Sequence, residues 1–247
     1  HMINKINIVN KILTIVPTLN EKRNIESFYK KIKKERIKYN ILFIDDNSQD
    51  GSQELIKKIA KKDKRISYIF RAKKMGIGSA HKVGLRWCYK KKYQIVVTID
   101  VDGTHDPKYI KLLIRNLKNN DIVITNRFTK KGSLRGWPIH RVFLTYCRYL
   151  LVKIVLSMPY DSSGAFRCIN CKKIPLSDLI LAKDDGYSFF WESIFLLQRK
   201  KYKIFEVGIP MPYRQIGSSH MKLKDIYYAF FYLFFVFTKK IFGKYNY

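Results

Sequence analysis

The stretch Gln94-Ile95-Val96-Val97-Thr98-Ile99-Asp100-Val101-Asp102-Gly103-Thr104 decides how this chain is read. An apolar, β-branched run predicts a buried strand, and the chain leaves it on a tight loop that delivers two carboxylates. Two carboxylates at the end of a buried strand do not sit unpaired in apolar surroundings; they require a cation or a basic partner. A hard divalent ion, Mg²⁺ or Mn²⁺, suits them, because it takes one or two carboxylates and fills its remaining positions with water and phosphate oxygens. Taken alone, the triplet is common and reads first as a solvated turn, so its surroundings must decide.

Four more runs of the same kind lie on either side. Strands are predicted at Ile12 to Val16, Ile41 to Ile44, Ile66 to Phe70 and Ile122 to Thr125, besides Gln94 to Ile99. Helical stripes separate them: Ile25, Phe28, Tyr29 and Ile32; Leu55, Ile56 and Ile59; Val83 with Leu85 to Trp87; Ile110, Leu113, Ile114 and Leu117. Alternation of this kind predicts an α/β fold, a mostly parallel central sheet with helices on both faces. Ligands then bind at the carboxyl ends of the strands. The polar clusters follow that rule. Pro17-Thr18-Leu19-Asn20-Glu21 leaves the first strand and Asp45-Asp46-Asn47-Ser48 the second. Arg71 with Lys73, Lys74, Gly76 and Gly78 leaves the third, and the aspartate pair leaves the fourth. The loops entering the strands are mainly Lys and Arg, so the Asn, Asp, Gly and Ser are more than general turn chemistry.

The chain has 247 residues, enough for one large domain with a C-terminal appendage. His1-Met2 reads as a cloning remnant, and the residues after it form no apolar core of signal-peptide length. With 49 Lys and Arg against 19 Asp and Glu, the net charge is +30, which attracts polyanions: nucleic acid, anionic lipid or phosphorylated substrates. A Lys-rich, Ala-poor composition also accounts for part of that charge. Cys88, Cys147, Cys168 and Cys171 do not form two metal-type pairs and read as reduced thiols. Gly76-Ile77-Gly78 fails as a dinucleotide fingerprint, since it follows the third strand and His81 replaces the last glycine.

Motifs that follow one another in order carry a resemblance. Val16-Pro17-Thr18-Leu19-Asn20-Glu21, the Asp45 to Gly51 segment, Gly76-x-Gly78-x-Ala80 and Asp100-x-Asp102 resemble the nucleotide-sugar-binding half of family 2 glycosyltransferases with the GT-A fold. Asn126-Arg127-Phe128, Gly136-Trp137 with Arg141, Asp161-x-Ser163-Gly164-x-Phe166-Arg167, Gly186-Tyr187-x-Phe189-x-x-Glu192 and Arg214-x-x-Gly217-x-Ser219 resemble the polyprenol-phosphate sugar transferases of the dolichol-phosphate mannose synthase type. The resemblance implies a GT-A domain over residues 1–222, with a nucleotide-sugar half at 11–130 and an acceptor half at 131–222. A C-terminal helical segment at 223–247 follows.

It also implies roles. Pro17, Leu19, Glu21 and Asp46 would hold the nucleoside, Asp46 accepting from a base N–H. Asp100, Val101 and Asp102 would meet the diphosphate, the two aspartates binding Mg²⁺ or Mn²⁺ and acting in catalysis. Arg127 and Arg214 would be the catalytic cations, a task suited to the guanidinium fork. With Arg141, Ser163 and His220 they would bind the acceptor phosphate. Thr104 departs from the Gln expected there and His220 from a Lys, which leaves the donor open between a GDP- and a UDP-sugar. Glu192 stands in an apolar helix and reads as structural or catalytic with equal justification.

The expected activity is inverting, metal-dependent transfer of a sugar from a nucleotide-sugar donor to a polyprenyl phosphate. An ionised phosphate needs no general base, whereas a sugar hydroxyl does. Transfer to a glycan hydroxyl is the nearest alternative. A nucleic-acid-binding protein is the other, and acidic loops gathered on one edge count against it. Ile139 to Leu156 reads as an amphipathic helix. Ile226 to Phe237 is an apolar, aromatic run too short to span a bilayer, which takes ~20 apolar residues. Both suit an interfacial position on a membrane surface, placing the protein in the cytoplasm, peripherally bound to the inner face of a membrane.

Overall fold

The computed structural model describes residues 12–35, 40–214, 216–217 and 223–242. Seven strands form one sheet in the order β3-β2-β1-β4-β6-β5-β7. They are β1 (Ile12–Thr18), β2 (Asn40–Asp45), β3 (Ile66–Phe70), β4 (Ile95–Thr98), β5 (Ile122–Asn126), β6 (Arg167–Asn170) and β7 (Ile204–Gly208). The helices are α1 (Lys22–Lys34), α2 (Ser52–Lys62), α3 (Ile77–Lys90), α4 (Ile110–Leu117), α5 (Ile139–Leu156), α6 (Leu176–Leu179), α7 (Phe189–Arg199) and α8 (Leu223–Ile241).

The five strands expected from the sequence all form, each within two residues of its expected ends. Two others, β6 and β7, were not foreseen. β6 alone runs against its neighbours, pairing antiparallel with β4 through Val97↔Cys168 and with β5 through Val123↔Cys168. All other pairs are parallel.

Alternation along the strands sends side chains into two cores, one on each face of the sheet. Leu13, Ile15, Leu42, Ile44 and Val96 meet α3, α5, α7 and α8 on one face. Ile12, Val16, Ile41, Phe43 and Val97 meet α1, α2 and α4 on the other. Helix α3 lies close against the 185–186 loop because position 78 is glycine: a Cβ there would stand 2.6 Å from the Phe189 Cβ and 2.9 Å from the Gly186 oxygen. The chain winds outward from β1 to β2 and β3, then returns to place β4 on the other side of β1. This reversal between β1 and β4 opens a crevice at their carboxyl ends, the usual place for a ligand in an open α/β sheet.

Candidate active site

The crevice is a cavity of about 300 Å³. Pro17, Thr18, Leu19 and Glu21 reach it from the end of β1, Asp46 from β2, and Asp100, Val101 and Asp102 from β4. With Lys74 and Gly76 from the loop after β3, four loops separated by up to 85 positions meet on one edge, as their places after parallel strands predicted. Arg214 enters from the far end of the chain, and the opposite wall comes from Gly186, Tyr187 and Ser188 with Asp225 and Tyr228 of α8.

The second loop is held by its first aspartate. Asp45 is fully buried and accepts from Thr18 Oγ1 at 2.8 Å, from the Ser48 backbone N–H at 2.8 Å, from Ser48 Oγ at 2.6 Å and from Gln53 Nε2 at 2.8 Å. With its neighbour thus used structurally, Asp46 faces the cavity. One Asp46 oxygen pairs with the buried Arg71 guanidinium, and the other accepts from the N–H groups of Met75 and Gly76 at 3.1 and 3.3 Å. Asp46 thereby fixes the 71–76 loop, and Arg71 in turn donates to Ser79 Oγ and to the Gly76 carbonyl. The sequence named Arg71 only as one of a basic cluster; its contact with Asp46 crosses from one strand end to the next.

The aspartate loop is shaped by short-range bonds. Asp102 Oδ1 accepts from the Thr104 N–H at 3.1 Å and from Thr104 Oγ1 at 2.6 Å, so Thr104 closes the turn. The Asp100 N–H donates to His105 Nδ1 at 3.4 Å, which requires that nitrogen to be unprotonated. Burial also lowers the His105 pKa, so the ring is neutral and lends Asp100 no positive charge, although Nδ1 stands 3.6 Å from its carboxylate. Asp100 itself is raised well above the ordinary carboxylate range. Desolvation is the largest cause and the like charges of Asp102 and Glu21 come next, against the opposing pull of Arg214 and Arg127.

A carboxylate raised in this way is a local deficit of positive charge. Among the described residues no group of three or more His, Cys, Asp or Glu side chains is placed to hold a metal ion. Two aspartates on one turn fit Mg²⁺ or Mn²⁺ in the form such ions favour, shared between one or two carboxylates and the phosphates of a substrate.

Of the arginines singled out in the sequence, Arg214 alone lines the cavity. Its Nη2 lies 2.9 Å from Glu21 Oε1, and its Nε donates to the Ile216 carbonyl at 3.1 Å. Arg127 is buried beside the cavity rather than in it. Its Nε and backbone N–H both donate to Asp161 Oδ2, at 2.8 and 3.0 Å, and its Nη2 donates to Ser163 Oγ at 3.2 Å. Ser163 also accepts from Arg148 Nη2 at 2.9 Å, which gathers two guanidinium groups on one hydroxyl. In the sequence Arg148 is only one of the basic residues of an amphipathic helix, with Arg141 and Lys153, and nothing there singles it out for this site. Arg141 stands apart, over the Tyr213 ring at 5.6 Å. His220 lies outside the described residues.

Glu192 is fully buried and accepts from the N–H groups of Lys183 and Asp184 at 3.0 and 3.1 Å and from the Tyr232 hydroxyl at 3.0 Å. Of the two roles open to it, these contacts describe the structural one. Cys168 does not pair with Cys171; Cys171 instead faces Cys88, with the sulfurs 3.8 Å apart.

The sequence profile of Glycosyl transferase family 2 matches residues 14–174. The undecaprenyl-phosphate mannosyltransferase of Micrococcus luteus is 28% identical over 212 residues, covering 85% of this chain and 87% of that protein. The polyprenol monophosphomannose synthase of Mycolicibacterium smegmatis is 28% identical over 226 residues, covering 89% and 84%. In fold the chain is similar to glucosyl-3-phosphoglycerate synthase of Mycobacterium tuberculosis in complex with Mn²⁺ and UDP-glucose. That comparison has a TM-score of 0.62 at 17% identity and covers 89% of this chain and 75% of that one.

Proposed function

The chain belongs to glycosyl transferase family 2, and on that premise we propose that it moves a sugar from a nucleotide-sugar donor to the phosphate of a polyprenyl phosphate, by a single inverting displacement. The relatives' names make mannose the sugar of choice. The observation that carries this reading is the meeting of Asp100, Asp102 and Arg214 in one cavity that Pro17, Leu19 and Asp46 also line. Such a cavity suits a nucleoside at one end and a diphosphate at the other.

Each residue then has a task. Asp46, locked to Arg71 and to the 75–76 backbone, forms the wall against which the base rests. Asp100 and Asp102 would hold Mg²⁺ or Mn²⁺, which when bound supplies positive charge to the departing diphosphate. Arg214 adds a donor fork to the same diphosphate, where charge develops in the transition state. Arg127, Arg141 and Arg148 give the neighbouring region a positive potential that draws in an anionic acceptor. An ionised phosphate attacks without losing a proton, so the reaction requires no general base.

The acceptor's lipid tail needs an apolar surface, and α5 and α8 provide one. Ile139, Phe143, Leu150 and Ile154 are exposed on α5, and Tyr227, Phe230, Phe231 and Phe234 on α8. Lys240 of α8 donates to the Val155 carbonyl and to Ser157 Oγ at the end of α5, which joins the two helices. No helix of the described residues is long and apolar enough to cross a membrane. A helix pair lying in the headgroup region of a cytoplasmic leaflet accounts for both facts.

Product analysis tests the reading. The purified protein, given labelled nucleotide sugar, Mn²⁺ and polyprenyl phosphate in detergent, should yield a lipid-extractable product whose label is released by mild acid. A product stable to mild acid, or one formed only with a glycan acceptor, would overturn it.

A further inference from the structure

The cavity has a wall whose residues have no task in the nucleotide-sugar reading above. It is made of Gly186, Tyr187 and Ser188 from the loop before α7, and of Asp225 and Tyr228 from the first turns of α8. Asp225, Tyr228 and Tyr232 recur at the spacing of one helical face. Tyr227, Phe230, Phe231 and Phe234 are exposed elsewhere on the helix, and Tyr228, which lines the open cavity, is itself 54% exposed. The inward face is anchored further along: Tyr232 donates to Glu192 at 3.0 Å, while Leu233 and Val236 are buried in the core. Tyr228 stacks on Tyr232, ring centroids 5.8 Å apart and planes within 9°. The first turns of α8 are therefore presented to the cavity from a fixed base.

Tyr187 links this wall to the aspartate pair. Its phenol is pushed up to about 12 by burial and then by the charges of Asp225 and Asp100, with Arg214 opposing. Tyr187, Asp225 and Tyr228 line the same cavity as Asp100 and Asp102, the cavity that must also hold the group attached to the outer phosphate. The chemistry of the wall identifies that group. Tyr228 interacts with Asp184 as well, so the surface combines phenol hydroxyls, aromatic faces and acidic side chains. A second phosphate would be repelled there. A neutral group rich in hydroxyls is instead well matched, because carboxylates and phenols hydrogen-bond hydroxyls while the rings cover the C–H faces.

We propose that Asp225 and Tyr228 of α8 contact the hydroxyls of the sugar being transferred, which makes the C-terminal helix part of the donor site and a determinant of sugar choice. This rests on the nucleotide-sugar reading above. A site that hydrogen-bonds a substrate hydroxyl discriminates strongly against a donor lacking it or bearing it in another orientation, because the site's own polar groups are then left unpaired.

The test compares sugar-bearing and sugar-free ligands on the full chain. Binding of GDP-mannose and UDP-glucose, and of GDP and UDP alone, is measured with Mn²⁺ for the unaltered protein, Asp225→Asn and Tyr228→Phe. Each substitution should weaken the preferred nucleotide sugar by about tenfold and leave the matching nucleoside diphosphate within about twofold. Tyr228→Phe keeps the ring and removes only the hydroxyl, so it separates loss of a contact from loss of fold. Equal weakening of both ligands, no change in either, or an effect confined to kcat or to the KM for polyprenyl phosphate would overturn the assignment. If the unaltered protein bound neither nucleoside diphosphate nor nucleotide sugar, the reading of the cavity itself would fail first.

Discussion

Arg214 and Glu21, 193 positions apart, form an ion pair in the wall of the cavity with Nη2 and Oε1 2.9 Å apart, and both side chains are only 9% exposed. Glu21 also accepts from Asn24, whose amide reaches toward the Ile216 carbonyl. The segment that follows β7 is thereby tied to the first turn of α1. Removing one partner of a buried pair leaves the other charge uncompensated, which costs about 3 kcal/mol or more. Glu21→Ala should lower Tm by roughly 10 °C, measured by thermal unfolding without ligand. A drop of only a degree or two would show that the pair carries no such load.

Asp102→Ala should abolish the extra thermal stabilisation that Mn²⁺ gives in the presence of donor, and reduce kcat by at least about a thousandfold. A chelator should mimic the substitution in the unaltered protein and have no further effect on the variant. Stabilisation by Mn²⁺ and donor that persists in Asp102→Ala would remove Asp102 from the metal site.

His81 gives a pH dependence of stability with a definite sign. It is 2% exposed and lies against Phe189 and Phe190, at ring-centroid distances of 5.8 and 5.2 Å. Burial, reinforced by the charge of Arg167, lowers its pKa from 6.5 to about 3. The unfolded chain therefore binds a proton that the folded one refuses. Stability is full above pH 6.5 and falls as the pH drops toward 3, by about 1.4 kcal/mol per unit. Denaturant midpoints should fall as the pH drops from 6.5 to 5, and His81→Leu should remove the His81 share of that slope while leaving the share of His105, whose pKa burial also lowers. An unchanged slope in the variant would assign it to other groups.

The exposed faces of α5 and α8 should bind anionic vesicles. Each Phe transferred from water to the interface contributes about 2 kcal/mol, and each nearby Lys about 1 kcal/mol. Replacing Phe231 and Phe234 together with Ser should reduce vesicle binding at least about a hundredfold in a flotation assay. Raising the salt should weaken binding of the unaltered protein. Full binding by the double variant would place the contact elsewhere.

The parts of this molecule legible in the sequence are those with a local signature. β1 to β5 are short apolar runs between helical stripes, and Asp46, Asp100 and Asp102 follow their strands directly. α5 begins and ends at the expected residues. The unforeseen parts depend on partners distant in the chain. β6 is four residues long and begins with a buried arginine, and β7 carries Glu206 at its centre. Neither shows the unbroken apolar run of a central strand. Helix α7, expected as the apolar helix that carries Glu192, is buried on nearly all sides and so has no polar face to mark its ends. In the site, Asp46 and Arg71 were both visible as polar strand-end residues, yet nothing in their spacing showed that they join. Asp225 and Tyr228 lie in an aromatic run whose outward face dominated the pattern.

The antiparallel strand β6 has a consequence for the order of assembly. β5 ends at Asn126, but its two neighbours in the sheet, β6 and β7, begin only at Arg167 and Ile204. A chain leaving the ribosome can build β1 to β4 with α1 to α3 as a first cooperative unit, since each of those strands finds its partner among residues already made. β5 emerges with no strand to join, and the exposed edge of β4 stays open beside it. Closure waits for β6 to slide between the two, a long-range step that brings high contact order and slow folding. Residues 167–208 thus close the sheet that β1 to β4 begin, and β5 is not expected to find its place in a chain that stops before β6.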